Sequence, residues 1–485
     1  MDHNARVPRL PLEITDLVID DLRNNDRALG ACSLVCRDWL PRSRHHLFKI
    51  VHLWGWRVYD FLELINAAGG RCTFSDHIER IEVDEMKSRR QRSPTRKSRS
   101  PSRNLSVVDI ISLLNCTTPT CNLKIHTLSI HNVDWTGMSL QKRTKLRHDL
   151  ASSPLLGEHI KAIEFHNSTF HDTRELGRII EVFPSVNGLT ADVKFTKCDV
   201  SSSKLNLPCI TSLDVGTDDA IPVLLESLSS TEGSMNRLSV RNIELEHFKH
   251  LRAVMKKRGR DLKSVHFVFT EWLQKDGETE ASLSMSNCRG TPPSEWRPSF
   301  LKLISQLTTL SIQGLKLTSD TSLFSIEKYL PHILGTIESS CLDAVHLGFS
   351  LDKPLDECPY DWASLERVFL ALHFFGMRRV CVSVDLGNHS AGEVKAEVAK
   401  RVQGSMPDLF ARGGLVIDVG DFSSSTDVVD VQELEAIEDD LDVEPQSTSL
   451  LGTKPSQIPS SPLAIVIPFS TMSIPLCSCL PGARN

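Results

Sequence analysis

The chain has 485 residues, with 55 Lys plus Arg against 61 Asp plus Glu and a formal charge of −6, which excludes both a basic nucleic-acid coat and an acidic solvating chain. Hydrophobic residues make up 40 % of it, enough for a large core if most of the chain folds. The length suits about three domains or one extended repeat array, and apolar spacing must decide between them.

Asp2, Arg6, Arg9, Glu13, Asp16 and Asp20 punctuate the amino-terminal stretch, so no secretory leader is expected. The 13 cysteines are scattered from Cys32 to Cys479, which reads as small hydrophobes in a reducing compartment, cytoplasmic and/or nuclear, without structural disulfides. Residues 10 to 48 hold two helical stretches joined by Asn24, Asn25 and Asp26. In the first, Ile14, Leu17, Val18 and Leu22 fall at helical spacing, and Pro11 suits a helix start. The second is dense in apolar residues (Leu29, Cys32, Leu34, Val35, Cys36, Trp39), and Pro41 is expected to stop or kink it. A module of about forty residues is near the lower limit for independent folding, so this much apolar surface calls for a partner or a docked neighbouring domain.

The Leu10-Pro11-x-Glu13-Ile14 opening, the Leu-rich second stretch, the Val35-Cys36-Arg37-x-Trp39 close and the trailing Arg44-x-x-Leu47-Phe48 resemble an F-box, particularly the fungal variety. The match covers residues 8–48, and Pro41 departs mildly from the family pattern. The resemblance implies a short helical bundle that docks on the Skp adaptor of a cullin-based ubiquitin ligase. Matching motif positions are Leu10, Pro11, Ile14, Leu29, Val35, Cys36 and Trp39.

A short strand over 49–53 and a helix over 58–67 follow, with Trp54 and Trp56 placed to seal the seam between modules. From Ile78 onward an apolar residue is repeatedly followed three and then two positions later by two more, as in Ile125-Leu128-Ile130 and Leu342-Val345-Leu347. Chance alone would give about thirty such triplets, so spacing carries the signal. The middle residues fall at 81, 128, 163, 213, 238, 265, 310, 345 and 380, with a degenerate strand near Leu189 and a last alternation at Leu415, Ile417 and Val419. Helical stretches are expected at 173–182, 220–228, 244–257, 322–337, 362–375 and 392–402.

Strand alternating with helix at this period reads as an irregular leucine-rich-repeat-like α/β solenoid over residues 49–420. It lacks the asparagine that many such repeats place after the strand. Residues between the repeated apolars should point away from the core along a concave face, because side chains alternate along a strand. Ser129, Glu164, Ser239, His266, Ser311, His346 and Cys381 are therefore the candidate target-binding row.

Two segments stand outside this fold. Residues 87–104 form an Arg/Ser-rich insertion with eight basic residues between Lys87 and Arg103, and 421–485 form an acidic, then Ser/Pro-rich tail with nine acids between Asp427 and Glu444. Such compositions bury too little apolar surface to offset chain entropy, so disorder is expected. The tail's apolar run, Leu463 to Phe469, is interrupted by Pro468 and is far shorter than the ~20 residues of a membrane span.

No phosphate-binding loop, nucleophile elbow or metalloprotease motif occurs, and the pairs Cys116/Cys121, Cys477/Cys479 and His166/His171 lack the second pair that a four-ligand metal site needs. Lys256, Lys257, Arg258 and Arg260 around Gly259 read as a cap on their own helix. No catalytic group, cofactor, metal or membrane partner is expected. The function expected is a non-catalytic substrate receptor, with the F-box holding the Skp adaptor and, through it, a cullin, and the solenoid holding a target protein. The rivals are a non-ligase scaffold and, more distantly, an RNA-associated protein using the Arg/Ser loop.

Overall fold

The computed structural model describes residues 11–55, 57–67, 74–85, 105–116, 123, 125–153, 156, 159–197, 207, 210–217, 219–269, 301–317, 330–351, 360–371, 376–386 and 392–420. All lie in the first of two compact units, Met1–Thr426. The Arg/Ser-rich stretch 87–104 and the tail 421–485 lie outside the described residues.

Three short helices open the chain: α1 (Leu12–Asp21), α2 (Asp26–Cys32) and α3 (Leu40–Lys49). The expected second stretch is thus broken after Cys32, and Pro41 does not stop it. Pro41 sits in the first turn of α3 behind the N-cap Trp39, where a missing amide proton costs nothing because it would have no intrahelical acceptor. Asn25 caps α2 by accepting a hydrogen bond from the Ala28 amide at 3.0 Å, as a helix start requires.

Beyond them the chain alternates strand and helix. The strands are β1 (Ile50–Leu53), β2 (Arg80–Asp84), β3 (Thr127–His131), β4 (Ala162–Phe170), β5 (Gly188–Phe195), β6 (Ser212–Val215), β7 (Arg237–Ile243), β8 (Ser264–Phe269), β9 (Thr309–Leu317), β10 (Ala344–Leu351), β11 (Arg379–Asp385) and β12 (Leu415–Gly420). The helices are α4 (Arg57–Ala67), α5 (Val107–Cys116), α6 (Leu140–Ala151), α7 (Thr173–Ile180), α8 (Ala220–Ser230), α9 (Phe248–Arg258), α10 (Leu330–Gly335), α11 (Trp362–Phe369), α12 (Gly392–Ser405) and α13 (Pro407–Ala411). The strands make one open sheet of 12, in sequence order, and neighbours pair parallel throughout, from β1 with β2 to β11 with β12. Parallel neighbours need a crossover, which is what the intervening segments supply. Among the described residues no helix is long and apolar enough to cross a membrane.

The middle and last residues of every expected triplet fall on a strand, the first lying two positions before it, and the middle residues stand in register: Ile81 faces Leu128, Leu128 faces Ile163 and Val345 faces Val380. All of these are buried and belong to one hydrophobic core shared along the sheet. Beyond the amino-terminal module, three helices went unforeseen in sequence: α5, α6 and the short α13. α5 is apolar over much of its surface, whereas α6 is polar nearly all round and buries only Leu146 and Leu150, which leaves little periodic signal.

The missing asparagine is also corrected. Asn132, Asn167 and Asn242 each stand four positions after a buried middle residue and hold φ of 57°, 47° and 57°, and Gly314 holds 72° at the equivalent place in β9. Asn and Gly are the residues that enter this left-handed region at least cost. The register shifts between Phe165 and Ser168 and between Val240 and Ile243 fall at these points, as an extra residue in one strand demands.

Candidate functional site

The amino-terminal module is assembled around one carboxylate. Asp20 of α1 accepts from Arg42 Nε at 2.5 Å and Nη2 at 2.6 Å, and His46 Nε2 lies 2.7 Å from its Oδ1. Chiefly the hydrogen bond from Arg42 holds the Asp20 carboxyl below its ordinary range. This fork ties α1 to α3 and turns Thr15, Ile19, Leu29, Cys32 and Ser43 inward. α3 then meets the first sheet unit, where His45 sits edge-on to His46 and His77 and Phe48 stacks on Phe74 at 4.5 Å. Trp54 is buried near this seam with the Arg57 guanidinium over its ring; Trp56 lies outside the described residues.

With Thr15 and Ile19 inward, the other face of α1 is left bare. Leu12, Ile14, Leu17 and Val18 are 55, 45, 57 and 46 % exposed, and in the turn after α2 Leu34 and Val35 reach 86 and 61 %. The sequence pattern Ile14, Leu17, Val18 marks an apolar stripe, but this stripe faces away from the module's own interior. Of the positions expected to dock a partner, Pro11, Ile14, Val35 and Cys36 are exposed and Trp39 is half-buried. Leu29, by contrast, is 0 % exposed and packs the module's own interior. Leu10 lies outside the described residues. Leu12, Leu17, Val18 and Leu34 were not among the expected docking residues, although helical spacing pointed to two of them.

On the sheet, the expected row is one continuous ladder. His52 pairs with Glu82, Glu82 with Ser129, Ser129 with Glu164, Glu164 with Thr190, Thr190 with Asp214 and Asp214 with Ser239. It continues through His266, Ser311, His346 and Cys381 to Val416. The register is as expected, but the exposure is not. Ser129, Ser239, His266, Ser311 and His346 are all buried, at 8 % or less, and Glu164 is half-buried. Parallel strands roughly 4.8 Å apart wall each side chain between its neighbours, so these residues form a floor. The rows beside it, with Arg80, Arg237 and Arg379 on one side and His131, His166, Arg241 and Gln313 on the other, are the more accessible ones.

Electrostatically the floor has two halves. Over β1 to β4 the carboxylates are matched internally: Glu82 meets His52 at 2.7 Å and Arg80 at 3.0 Å, while Glu164 meets Arg80 and, at 3.1 Å, His166. Burial alone would raise Glu82, yet His52 and Arg80 hold it at about 2. His131 stacks on His166 at 4.5 Å, and burial, reinforced by that neighbour, lowers it to about 4. Ser129 Oγ lies 2.8 Å from His131 Nε2. Over β8 to β10 charge gives way to His266, Ser311 and His346. His346 Nε2 lies 2.6 Å from Ser383 Oγ, whereas both ring nitrogens of His266 and Ser311 Oγ have no partner among the described residues. Burial lowers His266 to about 4, so it is a neutral ring at physiological pH.

Among the described residues no group of three or more His, Cys, Asp or Glu side chains is arranged to hold a metal ion. What the described residues present is a bare apolar stripe on small helices and a long sheet face whose polar floor is internally paired over β1 to β4. Compared with known proteins, the chain matches no family model, and no curated protein is detectably similar to it.

Proposed function

We propose that this chain is the substrate-recognition subunit of a Skp/cullin/F-box ubiquitin ligase, in which the amino-terminal helices hold the Skp adaptor and a leucine-rich-repeat-like solenoid holds a target protein. The observation that carries the reading is the apolar stripe Leu12, Ile14, Leu17 and Val18 with Leu34 and Val35, all exposed on a module whose own interior is small. Covering each such side chain contributes roughly 1.5 to 3 kcal/mol, so a partner that buries a few of them binds firmly. The chain itself transfers nothing; it raises the effective concentration of the target beside the machinery that does. Target contacts come from the rows flanking the buried ladder, not from Ser239, His266 or Ser311 themselves.

Leu17→Glu combined with Val18→Glu tests the docking face. Both side chains are exposed, so the fold should persist while affinity for purified Skp adaptor falls by about a hundredfold or more. Unchanged affinity with the module folded refutes the assigned face. Recovery of the adaptor from cells without any cullin would place the chain in a scaffold instead.

A further inference from the structure

The helical layer carries a charge pattern that the sheet face does not use. α6 bears Lys142, Arg143, Lys145, Arg147 and His148 against one acid, Asp149, and α7 bears Arg174 and Arg178 against Glu175. Two of these carboxylates are already engaged. Glu175 Oε1 accepts from Arg143 Nη1 at 2.6 Å, and Asp149 accepts from Ser112 of α5. The Arg143–Glu175 pair clips α6 to α7. Beside it the helices border an open cleft of about 380 Å³ lined by Thr144, Arg147, His148, Arg178, Glu181 and Val182.

Neither guanidinium in the cleft is held in an ion pair among the described residues. Among the described residues Arg178 is exposed and makes no ion pair, and Arg147 reaches only Thr144 Oγ1, at 3.4 Å. In a chain of net charge −6 such a local cationic excess runs against the average field and attracts anions. Two guanidinium forks suit a planar carboxylate, which accepts paired N–H bonds. Glu181 on the rim leaves the two arginines and one acid with a single net positive charge, which fits a monoanion better than a phosphate dianion. The only ring among the lining residues is the His148 imidazole, with no Phe, Tyr or Trp beside it, so the cleft offers a nucleic-acid base little stacking surface.

We propose that the α6–α7 cleft binds an acidic polypeptide segment of a partner protein, holding a carboxylate between Arg147 and Arg178 with Thr144 and Val182 against its aliphatic stem. This site lies on the helical layer, separate from the ladder and from the amino-terminal stripe, and does not depend on the ligase reading.

The test is fluorescence anisotropy of the full chain with a labelled short peptide of alternating Glu and Ser, beside the same peptide carrying Gln for Glu and a single-stranded RNA of similar length. The acidic peptide should bind, the Gln peptide should not, and binding should weaken as salt rises. Arg147→Gln and Arg178→Gln should each weaken it about tenfold, and Glu181→Gln should tighten it several-fold, with unchanged unfolding midpoints. The proposal is overturned if both arginine variants bind the peptide like the parent, if Glu181→Gln weakens binding, or if RNA binds more tightly and is lost with the same arginines.

Discussion

Arg258 offers the sharpest test of how the repeated units hold together. It is the last residue of α9 and 1 % exposed, yet among the described residues no carboxylate pairs with it. Instead it donates from Nε to Leu228 O at 3.0 Å, from Nη1 to Gly233 O at 3.0 Å, and from Nη2 to Thr231 O at 2.9 Å and Thr231 Oγ1 at 2.6 Å. These acceptors lie at and just beyond the end of α8, where unpaired carbonyls carry the negative end of the helix dipole. Arg258 therefore caps the preceding helix, not its own as the basic run had suggested. Arg258→Ala removes the donors, strands buried carbonyls at about 1 kcal/mol or more each and leaves a cavity, for a total near 4 kcal/mol. Arg258→Lys keeps the charge but not the fork and should cost about half as much. Urea unfolding followed by tryptophan fluorescence measures both, and hydrogen exchange should show opening concentrated in α8 and α9. A loss below about 1 kcal/mol for Arg258→Ala would refute the reasoning, because a buried guanidinium so bonded cannot be dispensable.

Two further outcomes follow from the geometry. His131 and His266 are each lowered from 6.5 to about 4 in the folded chain, so the unfolded chain takes up these protons first; stability present above about pH 6.5 should fall as pH drops towards 4. Glu82, held at about 2 from 4.5, adds a second loss below about pH 4.5. Urea midpoints across this range should show a shallower slope between pH 6.5 and 4 for the His131→Gln, His266→Gln double variant, and an unchanged slope would contradict the assignment. Gly314 combines a φ of 72° with the Phe269 carbonyl oxygen 2.1 Å from where a Cβ would sit. Gly314→Ala should cost about 3 kcal/mol in unfolding free energy, whereas Asn132→Gly, already left-handed, should change it by less than about 1 kcal/mol.

Much of the fold was legible in the chain. Leu128, Ile163 and Val345 announce their strands because parallel units repeat one buried pattern, and the alternation rule places Ser129, Glu164 and His266 on a single ladder. Less legible were features without periodic apolar residues: the polar helix α6, the left-handed asparagines, and the break after Cys32. Asn132, Asn167 and Asn242 sit at unequal sequence intervals, so only the sheet register aligns them. The exposed apolar stripe was half legible, since helical spacing marks Ile14, Leu17 and Val18 as one face without saying whether that face looks inward.

By itself the sequence determined which residues are apolar and at what period, and from that the order of strands and helices follows, because burial acts on every unit alike. Tertiary structure decided what local pattern cannot encode. It sent Leu29 inward and left Leu17 in solvent, it sank Ser311 and His266 beneath their neighbours, and it carried Arg258 to a helix end some thirty residues away. Exposure and partnership are properties of what packs alongside, and no residue carries that information in its own stretch of chain.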